Sequence, residues 1–431
     1  MDMEIGGGGH KKIRVCVIGA GAAGLCAVRH LSSDLAHFEP AIFELSDKVG
    51  GTWVYVEETG NDGYGVPIHS SMYKNLRTNF PTKLMNFPDY QIMNQTRPSC
   101  GTHQQILDYL NAYADHFAIR RFIQFNTMVE CVRPIVNGLW RETTWRVAIR
   151  NLKTKALEER VFDAVMVCNG HYSVPKVPKI TGIETFTGCA MHSHQYRKPD
   201  IYEGKTVIVL GAGPSGIDIG IEIASRANFV YLSHNGPRLE SPLLTNMSQV
   251  MGVKSIDGNK FTLKDGTVLT ADALLYCTGY EFAFPFLHEE CKVRVDDNFV
   301  TPLWKHLINI EHPKMCLVGL PSRVIPFPLF HLQILFFLSL LKGRIDLPSK
   351  DIMLEDTRPY NEKRHGHVLG NRQWEYNNQL ATLAGINTLP EFYENGYTQW
   401  NIQKTNNLLK YKDAEIVIAE DGKTVRFVMT K

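Results

Sequence analysis

The segment Val15–Gly24, which reads VCVIGAGAAG, decides the fold of this 431-residue chain. An apolar run ends at Gly19, Gly21 and Gly24, and an apolar helical pattern follows. This order of strand, glycine turn and helix is typical of a dinucleotide-binding unit, because the glycines permit a tight turn and a close backbone approach to a pyrophosphate. The unpaired N–H groups and the dipole of the helix N-terminus favour the phosphate charge.

A second apolar run, residues 41–45, carries Glu44 at 20 residues after Gly24. At that spacing a carboxylate binds the ribose hydroxyls of a dinucleotide, so the first unit is expected to prefer a nucleotide without a 2′-phosphate. The loop 50–53, GGTW, follows directly. It is expected to pass under the cofactor with Trp53 covering it, although a turn with a core tryptophan fits the spacing equally well.

The segment 206–219, TVIVLGAGPSGIDI, repeats the pattern with Gly211, Gly213 and Gly216 in the turn. One such turn is weak evidence, because glycine-rich turns are common, but two in one chain are far more specific. They predict an α/β protein with two Rossmann-like dinucleotide-binding domains. The most economical pair of ligands is a flavin dinucleotide and a nicotinamide dinucleotide.

The end of the following strand predicts which nucleotide the second unit binds. Aligned on the first unit, Ser233 takes the place of Glu44. A carboxylate there would repel a 2′-phosphate, whereas Ser233 and His234 could hydrogen-bond one, which favours NADPH. An ordinary hydroxyl at a strand end is the alternative interpretation.

Composition excludes several classes of function. The formal net charge is +2 with dispersed charged residues, so nucleic acid is not an expected partner. The apolar run 329–341 is too short to span a bilayer and predicts a buried helix. Because residues 1–12 lack an apolar signal-peptide core, we expect a cytoplasmic protein, with secretion only if a leader was removed.

The nine cysteines form no C-x-x-C pair, which predicts buried, reduced thiols and no metal site. His365 and His367 lie in a polar segment and are expected to be solvated.

Residues 186–197, FTGCAMHSHQYR, fill every fixed position of the F-x-G-x-x-x-H-x-x-x-Y-[RK] signature, and in them the chain resembles the flavin-containing monooxygenases. The segments 50–53, 78–79 and 277–280 are similar to other landmarks of that family. The resemblance covers residues 13–347. It is closest to short insect members, such as the senecionine N-oxygenases, which act on pyrrolizidine alkaloids.

The resemblance implies that NADPH reduces FAD and that the reduced flavin reacts with O2 to form a C4a-hydroperoxyflavin. A neutral tertiary amine or a sulfur then takes one oxygen atom, while the protein excludes water. The implied enzyme is an N-oxide-forming monooxygenase of the EC 1.14.13 type, acting in alkaloid detoxification and xenobiotic metabolism. It is expected to form a homo-oligomer.

The resemblance also implies that an NADP domain is inserted into the FAD domain. The expected parts are residues 1–172 for the first part of the FAD domain, 173–295 for the NADP domain and 296–431 for the C-terminal part of the FAD domain.

By resemblance, Asn79 lies near the flavin and the nicotinamide and is the predicted catalytic residue, since an amide can donate and accept at once. The second helix start, residues 215–218, is expected to meet the NADP pyrophosphate. His192, Tyr196 and Arg197 are expected to shape the domain linker. The predicted cofactor contacts are Gly19, Gly21, Ala22, Ala23, Gly24, Glu44, Gly51, Thr52, Trp53, Thr78, Asn79, Val129, Gln333, Gly211, Gly213, Ser215, Gly216, Ile217, Asp218, Ser233, His234 and Arg238.

The chain departs from the family where an arginine usually follows the serine of the second strand. His234 and Asn235 stand there, and Arg238 is the nearest guanidinium. We therefore expect a weaker preference for NADPH, with NADH as a possible competitor.

Three other classes of protein are alternatives to a flavin-containing monooxygenase. A Baeyer–Villiger monooxygenase carries Trp followed by Pro or Asp where this chain has Tyr196 and Arg197. A disulfide reductase needs a redox dithiol. A non-catalytic FAD/NADPH-binding sensor stays open, because dinucleotide binding is not catalysis. The sequence leaves the substrate and the preference for nitrogen or sulfur undecided.

Overall fold

The computed structural model describes residues 11–91, 98–359 and 362–429, which divide into two compact units. Unit 1 combines the chain up to Gly51 with residues 110–170 and 284–389. Unit 2 combines residues 52–109, 171–283 and the chain from Pro390 onward. The predicted boundaries at 172 and 295 concern cofactor domains and stay a prediction.

The helices are α1 (Ala22–Ser32), α2 (Thr82–Met85), α3 (His103–His116), α4 (Pro214–Ala224), α5 (Pro326–Leu341), α6 (Lys350–Asp356), α7 (Gln373–Ala384) and α8 (Phe392–Asn406). The strands are β1 (Ile13–Ile18), β2 (Phe38–Phe43), β3 (Ile123–Gln124), β4 (Thr127–Ile135), β5 (Thr144–Asn151), β6 (Leu157–Phe162), β7 (Ala164–Val167), β8 (Val174–Pro175), β9 (Cys189–His192), β10 (Thr206–Leu210), β11 (Phe229–His234), β12 (Met247–Met251), β13 (Val253–Asp257), β14 (Lys260–Leu263), β15 (Val268–Thr270), β16 (Ala273–Tyr276), β17 (Tyr280–Glu281), β18 (Arg294–Asp296), β19 (Phe299–Thr301), β20 (Leu303–Trp304), β21 (Ile308–Asn309), β22 (Met315–Leu317), β23 (Ala414–Ile418) and β24 (Val425–Met429).

Unit 1 is built on a sheet with the strand order β20–β21–β22–β7–β1–β2–β3. The strands from β22 to β3 are parallel, and β20 and β21 add an antiparallel edge. β7 is buried along its whole length, as expected for a central parallel strand, whose apolar residues face covered surfaces on both sides. A second, antiparallel sheet, β4–β5–β6, also belongs to this unit.

Helix α5 of unit 1 confirms the buried helix predicted from the apolar run 329–341. Pro326 and Pro328 lie in its first turn, where a missing N–H removes no helical hydrogen bond. The helix packs against α1 and α7. In the part of the chain that the structure describes, no helix combines the length and the apolar character needed to cross a membrane.

Unit 2 is built on the parallel sheet β12–β11–β10–β16–β9, with α4 following β10. The antiparallel strands β13–β14–β15 turn at the Asp-Gly sequences 257–258 and 265–266, as their turn chemistry predicts. Each unit therefore has a parallel sheet whose strand, glycine turn and helix follow one another. The predicted α/β fold with two Rossmann-like units is confirmed.

The nine cysteines are all free thiols, and seven of them are buried, as predicted. The prediction for His367 is wrong, because this side chain is buried. Its Nε2 accepts a hydrogen bond from the Val300 N–H at 3.0 Å, and its Nδ1 lies 3.1 Å from Nδ1 of His306. His365 is exposed, as expected.

Candidate dinucleotide sites

The first glycine turn leaves no room for side chains at two of its positions. A Cβ added to Gly19, which has φ +99°, would lie 2.7 Å from the carbonyl oxygen of Cys168. A Cβ added to Gly24 would lie 1.8 Å from the carbonyl oxygen of Gly19. Gly19 is therefore required by its close approach to the residue after β7, and Gly24 is required by the packing of α1 on the glycine turn.

The N-terminus of α1 is open to an anion. Its N-cap, Gly21, supplies no side-chain cap, and the first turn carries no acidic residue, with Ala22 and Ala23 at its start. Gly51 lies against the N-terminus of α1. Its φ is +55°, and a Cβ added to it would lie 2.9 Å from the Cα of Gly21. Backbone therefore forms the surface that a pyrophosphate would meet.

Glu44 lies directly after β2 and is buried. Its Oε2 accepts a hydrogen bond from the Ala20 N–H at 2.6 Å, and its Oε1 accepts from the N–H and the O–H of Ser46, both at 2.8 Å. The acid that the sequence places near the ribose is thus attached to the glycine turn itself.

Gln333 is fully buried in α5. Its Oε1 accepts from the Gly319 N–H at 2.9 Å, and its Nε2 donates to the hydroxyl of Tyr376 at 2.8 Å. That hydroxyl donates to the carbonyl oxygen of Lys305 at 2.7 Å. Gln333 therefore fixes the glycine turn after β22. The sequence did not reveal Tyr376, because this residue lies 43 residues away on another helix. Val129, another of the predicted cofactor contacts, is buried in β4.

The second glycine turn repeats the first in unit 2. A Cβ on Gly211, which has φ +114°, would lie 2.4 Å from the carbonyl oxygen of Cys277, and one on Gly216 would lie 1.8 Å from the carbonyl oxygen of Gly211. A Cβ on Gly213 would meet no heavy atom within 4 Å. Gly213 is therefore not required by protein packing.

Helix α4 begins with Pro214 after the N-cap Gly213 and has no acidic residue in its first turn. Ser215 is exposed there, whereas Ile217 is buried. Asp218 lies in the second turn. Its carboxylate accepts hydrogen bonds from the hydroxyl of Tyr73 and, at 2.7 Å, from Nζ of Lys412.

The strand end that sequence reasoning assigned to the 2′-phosphate is occupied by internal hydrogen bonds. Ser233 is fully buried, and its hydroxyl donates to the carbonyl oxygen of Met251 at 2.9 Å. Nε2 of His234 lies 3.3 Å from Oε1 of Gln249. Arg238 is exposed.

The loop 72–81, MYKNLRTNFP, carries the predicted catalytic residue in unit 2. Thr78 is buried, and its hydroxyl donates to the carbonyl oxygen of Phe80 at 2.6 Å. Asn79 is exposed, and its backbone carbonyl accepts from Nε1 of Trp400 at 2.7 Å. Sequence reasoning missed Trp400, which lies 321 residues away from Asn79.

The two other predicted residues of unit 2 follow the 50–51 glycine pair. Thr52 Oγ1 lies 3.3 Å from Oγ of Ser71, and its carbonyl oxygen accepts from the hydroxyl of Ser70 at 3.1 Å. Trp53 is half-buried. This segment is thus attached by hydrogen bonds to the residues just before the loop 72–81.

The residues of the 186–197 signature form hydrogen bonds within unit 2. His192 is 4% exposed; its Nδ1 accepts from the His194 N–H at 3.0 Å, and its Nε2 donates to the carbonyl oxygen of Gly279 at 3.0 Å. Burial lowers the pKa of His192 to about 4. Arg197 donates to the carbonyl oxygens of Val56, Glu58, His194 and Tyr196.

Among the described residues, Cys26, His30 and His331 of unit 1 form the group whose ligand atoms converge, within 4.8 Å of one another. His30 Nε2 and His331 Nδ1 are hydrogen-bonded at 3.1 Å. Tetrahedral zinc ligation requires sulfur and nitrogen atoms roughly 3.3–3.8 Å apart. We assign no ion to this group.

Three comparisons with known proteins agree with one another. The profile described as "Flavin-binding monooxygenase-like" matches residues 11–239 and 238–394. The chain is 34% identical over 425 residues to the Flavin-containing monooxygenase FMO GS-OX-like 4 of Arabidopsis thaliana, with 93% of each protein covered.

Two solved structures are similar over nearly the whole chain. S-allyl-L-cysteine S-oxygenase from Allium sativum superposes with a TM-score of 0.84 at 32% identity, covering 94% of this chain and 95% of that one. Tmm from Pelagibacter sp. strain HTCC7211 superposes with a TM-score of 0.84 at 26% identity, covering 96% and 95%.

Proposed function

Since the chain belongs to the family of flavin-binding monooxygenases, we propose that it is an NADPH- and O2-dependent enzyme that oxygenates tertiary amines or soft sulfur compounds. In this proposal FAD binds at the glycine turn of unit 1 and NADPH at the glycine turn of unit 2. The observation that carries it is the repetition of one arrangement, an uncapped helix N-terminus behind three glycines, in both units.

The residues of the first turn fit FAD. Gly21 and Gly51 approach each other at the start of α1 with no side chain between them, so a pyrophosphate can come close to the helix N-terminus. Glu44 stands at the end of the next strand, where an acid suits a ribose that has free hydroxyls. A 2′-phosphate would be repelled there.

The residues of the second turn fit NADPH. Gly213 has open space around it, and Ser215 is exposed at the start of α4. No carboxylate stands at the end of β11, where Ser233 is buried and neutral. Since the Ser233 hydroxyl donates within the protein, we propose that the exposed Arg238 supplies the charge that binds the 2′-phosphate.

Bound flavin supplies the redox chemistry, taking a hydride from NADPH and activating O2 so that one oxygen atom reaches the substrate. The protein residues orient the cofactors and exclude water. Asn79 is proposed to contact the nicotinamide, since its amide is exposed while its backbone is held by Trp400. We find no need for a nucleophilic triad or a paired acid in this chemistry.

Two substrate classes are proposed, and they differ in the atom that is oxygenated. Tertiary amines, with plant pyrrolizidine alkaloids as the named candidates, give N-oxides. Thioethers give S-oxides, and the similarity to a protein named S-allyl-L-cysteine S-oxygenase supports this class. An amine must be neutral to react, so amine turnover is expected to slow as the pH falls below the pKa of the amine.

Product analysis tests the proposal. FAD-loaded enzyme is given NADPH and 18O2 with senecionine, with S-allyl-L-cysteine or with cyclohexanone. We expect one 18O atom in an N-oxide or an S-oxide for each NADPH consumed. A labelled ester from the ketone would instead show Baeyer–Villiger chemistry. A yellow, FAD-loaded protein without NADPH-driven oxygen uptake would be a sensor. A protein that stays colourless after addition of FAD would reject the proposed function.

A further inference from the structure

We propose that Lys412 is a positioning residue that couples helix α4, the proposed nucleotide-binding helix, to the loop that carries Asn79. The inference deepens the proposed function and rests on it for the identity of the nucleotide. Lys412 lies beyond the part of the chain that the family profile matches, which ends at residue 394. The residues that carry the argument all belong to unit 2.

Lys412 is a buried cation with two partners. The residue is 8% exposed, and its Nζ donates to Oδ1 of Asp218 at 2.7 Å and to the carbonyl oxygen of Arg77 at 3.1 Å. A charge that is removed from water is retained only where its partners compensate it. Lys412 therefore joins α4 to the loop 72–81 by one ammonium group.

Helix α4 also contacts this loop through its own carboxylates. Asp218 accepts from the hydroxyl of Tyr73. One turn later, Glu222 accepts from Nδ2 of Asn75 at 2.6 Å and from the hydroxyl of Tyr196 at 2.8 Å. Because residues four apart share one face of a helix, the two acids form a continuous edge along which residues 73–77 are attached.

The C-terminal segment contacts the loop as well. Arg77 donates from Nη1 to Oδ1 of Asp413 at 2.7 Å and from Nη2 to the carbonyl oxygen of Lys412. Two residues further on, the carbonyl of Asn79 accepts from Trp400, which is fully buried. The backbone from residue 77 to residue 79 is thus bound by residues 400–413, while the Asn79 side chain stays exposed.

The charge of Lys412 has a second consequence for the proposed nucleotide. Asp218 lies in the second turn of α4, close to the helix N-terminus at which the pyrophosphate is expected. Without the ammonium beside it, this carboxylate would oppose the positive end of the helix dipole and repel the phosphates. Lys412 therefore supports nucleotide binding through Asp218 and orientation of Asn79 through Arg77.

The two effects separate in a set of variants. Lys412→Met keeps much of the side-chain volume and removes the charge. We expect it to raise KM for NADPH about tenfold, in the range of ordinary coupling between sites. We also expect more H2O2 released per NADPH consumed, because the loop that carries Asn79 loses its hydrogen bond at Arg77. Lys412→Arg should restore part of both properties.

The double variant Lys412→Met with Asp218→Asn removes both charges together. We expect its KM for NADPH to lie below that of Lys412→Met, since the repulsion is gone. The excess H2O2 should persist, because the bond to Arg77 is still missing. The exposed Lys410→Met is the matched control and should leave KM and H2O2 release unchanged.

Binding of NADP+ by titration calorimetry accompanies the kinetics and does not depend on turnover. Wild-type protein that binds no NADP+ rejects the proposed function and this inference together. Wild-type turnover with equal KM and equal H2O2 release in Lys412→Met overturns the inference alone. If Lys412→Met does not fold, equal H2O2 release in the wild type and the double variant also overturns it.

Discussion

The carboxylate of Glu44 accepts a hydrogen bond from the backbone N–H of Ala20, 2.6 Å away inside the first glycine turn. Its other oxygen accepts from the N–H and the O–H of Ser46. Both oxygens therefore face donors. Two of these three donors are backbone N–H groups, which can donate a hydrogen bond but cannot accept one. The site requires a side chain with two acceptor oxygens.

Glu44→Gln places an amide NH2 against a backbone N–H in either orientation of the side chain. We expect the free energy of unfolding to fall by about 1–3 kcal/mol, the cost of a buried unsatisfied group. FAD content should fall as well, because the turn and the ribose partner change together. Chemical denaturation and the flavin absorbance of the purified protein measure both. Glu39→Gln, which lies on the exposed face of β2, is the control. A Glu44→Gln protein with unchanged stability and unchanged FAD content would contradict the assignment of Glu44 to the turn and the ribose.

Gly213→Ala tests whether the second turn is shaped for a ligand. Since the added methyl meets no protein atom within 4 Å, folding and FAD content should be unchanged. The methyl instead enters the space of the pyrophosphate, and we expect kcat/KM for NADPH to fall about tenfold or more. Gly63→Ala, which also adds a methyl in open space but outside either turn, should leave the kinetics unchanged. Normal kinetics in Gly213→Ala would place the nucleotide elsewhere.

Arg238→Ala tests the proposed partner of the 2′-phosphate. The exposed guanidinium is the charge nearest in sequence to the buried Ser233, so its loss should lower kcat/KM for NADPH by about tenfold. Activity with NADH should not change, because NADH lacks this phosphate. Arg226→Ala, another exposed arginine of unit 2, serves as the control. Equal losses with both nucleotides would exclude a role in selectivity.

The lowered pKa of His192 predicts that the folded protein loses stability in acid. Burial lowers its pKa to about 4 in the folded protein, against about 6.5 for an unfolded chain. As the pH falls from 6.5 towards 4, the unfolded state binds a proton that the folded state does not. The free energy of unfolding should then decrease by up to about 1.4 kcal/mol per pH unit from this group, whereas above pH 6.5 it contributes no slope.

His192→Gln removes this titration while its amide can still donate to the carbonyl of Gly279. We expect a shallower dependence of stability on pH between 4 and 6.5, measured by urea denaturation across that range. His365→Gln, at an exposed histidine, should leave the wild-type slope. If both variants keep that slope, another of the buried histidines is responsible for it.

Local sequence patterns predicted the scaffold well. The two glycine turns and the buried helix α5 follow from spacing and apolar runs, because neighbouring residues determine them. The family is confirmed, and with it the flavin cofactor. Closeness to insect members is not confirmed; the relatives compared include proteins of Arabidopsis thaliana and Allium sativum.

Contacts between distant segments could not be predicted in this way. Trp400 and Lys412 lie in a polar C-terminal region with no motif, yet they bind residues more than 300 positions earlier. His367 looked solvated because its neighbours in sequence are polar, whereas the fold brings the N–H of Val300 to its ring. A pattern of local polarity carries no information about such partners. The predicted cofactor contacts stay predictions.

Gly24 lies close to the carbonyl of Gly19, and Gly216 repeats this arrangement. These positions cannot accept a side chain, whereas other positions of the chain can. No side chain can be introduced at Gly24 or Gly216 unless the backbone moves. Exposed positions beyond the strand end, such as Asn235 and Arg238, carry no such constraint. A library for changing nucleotide preference therefore belongs in that exposed segment, with the glycine turns left intact.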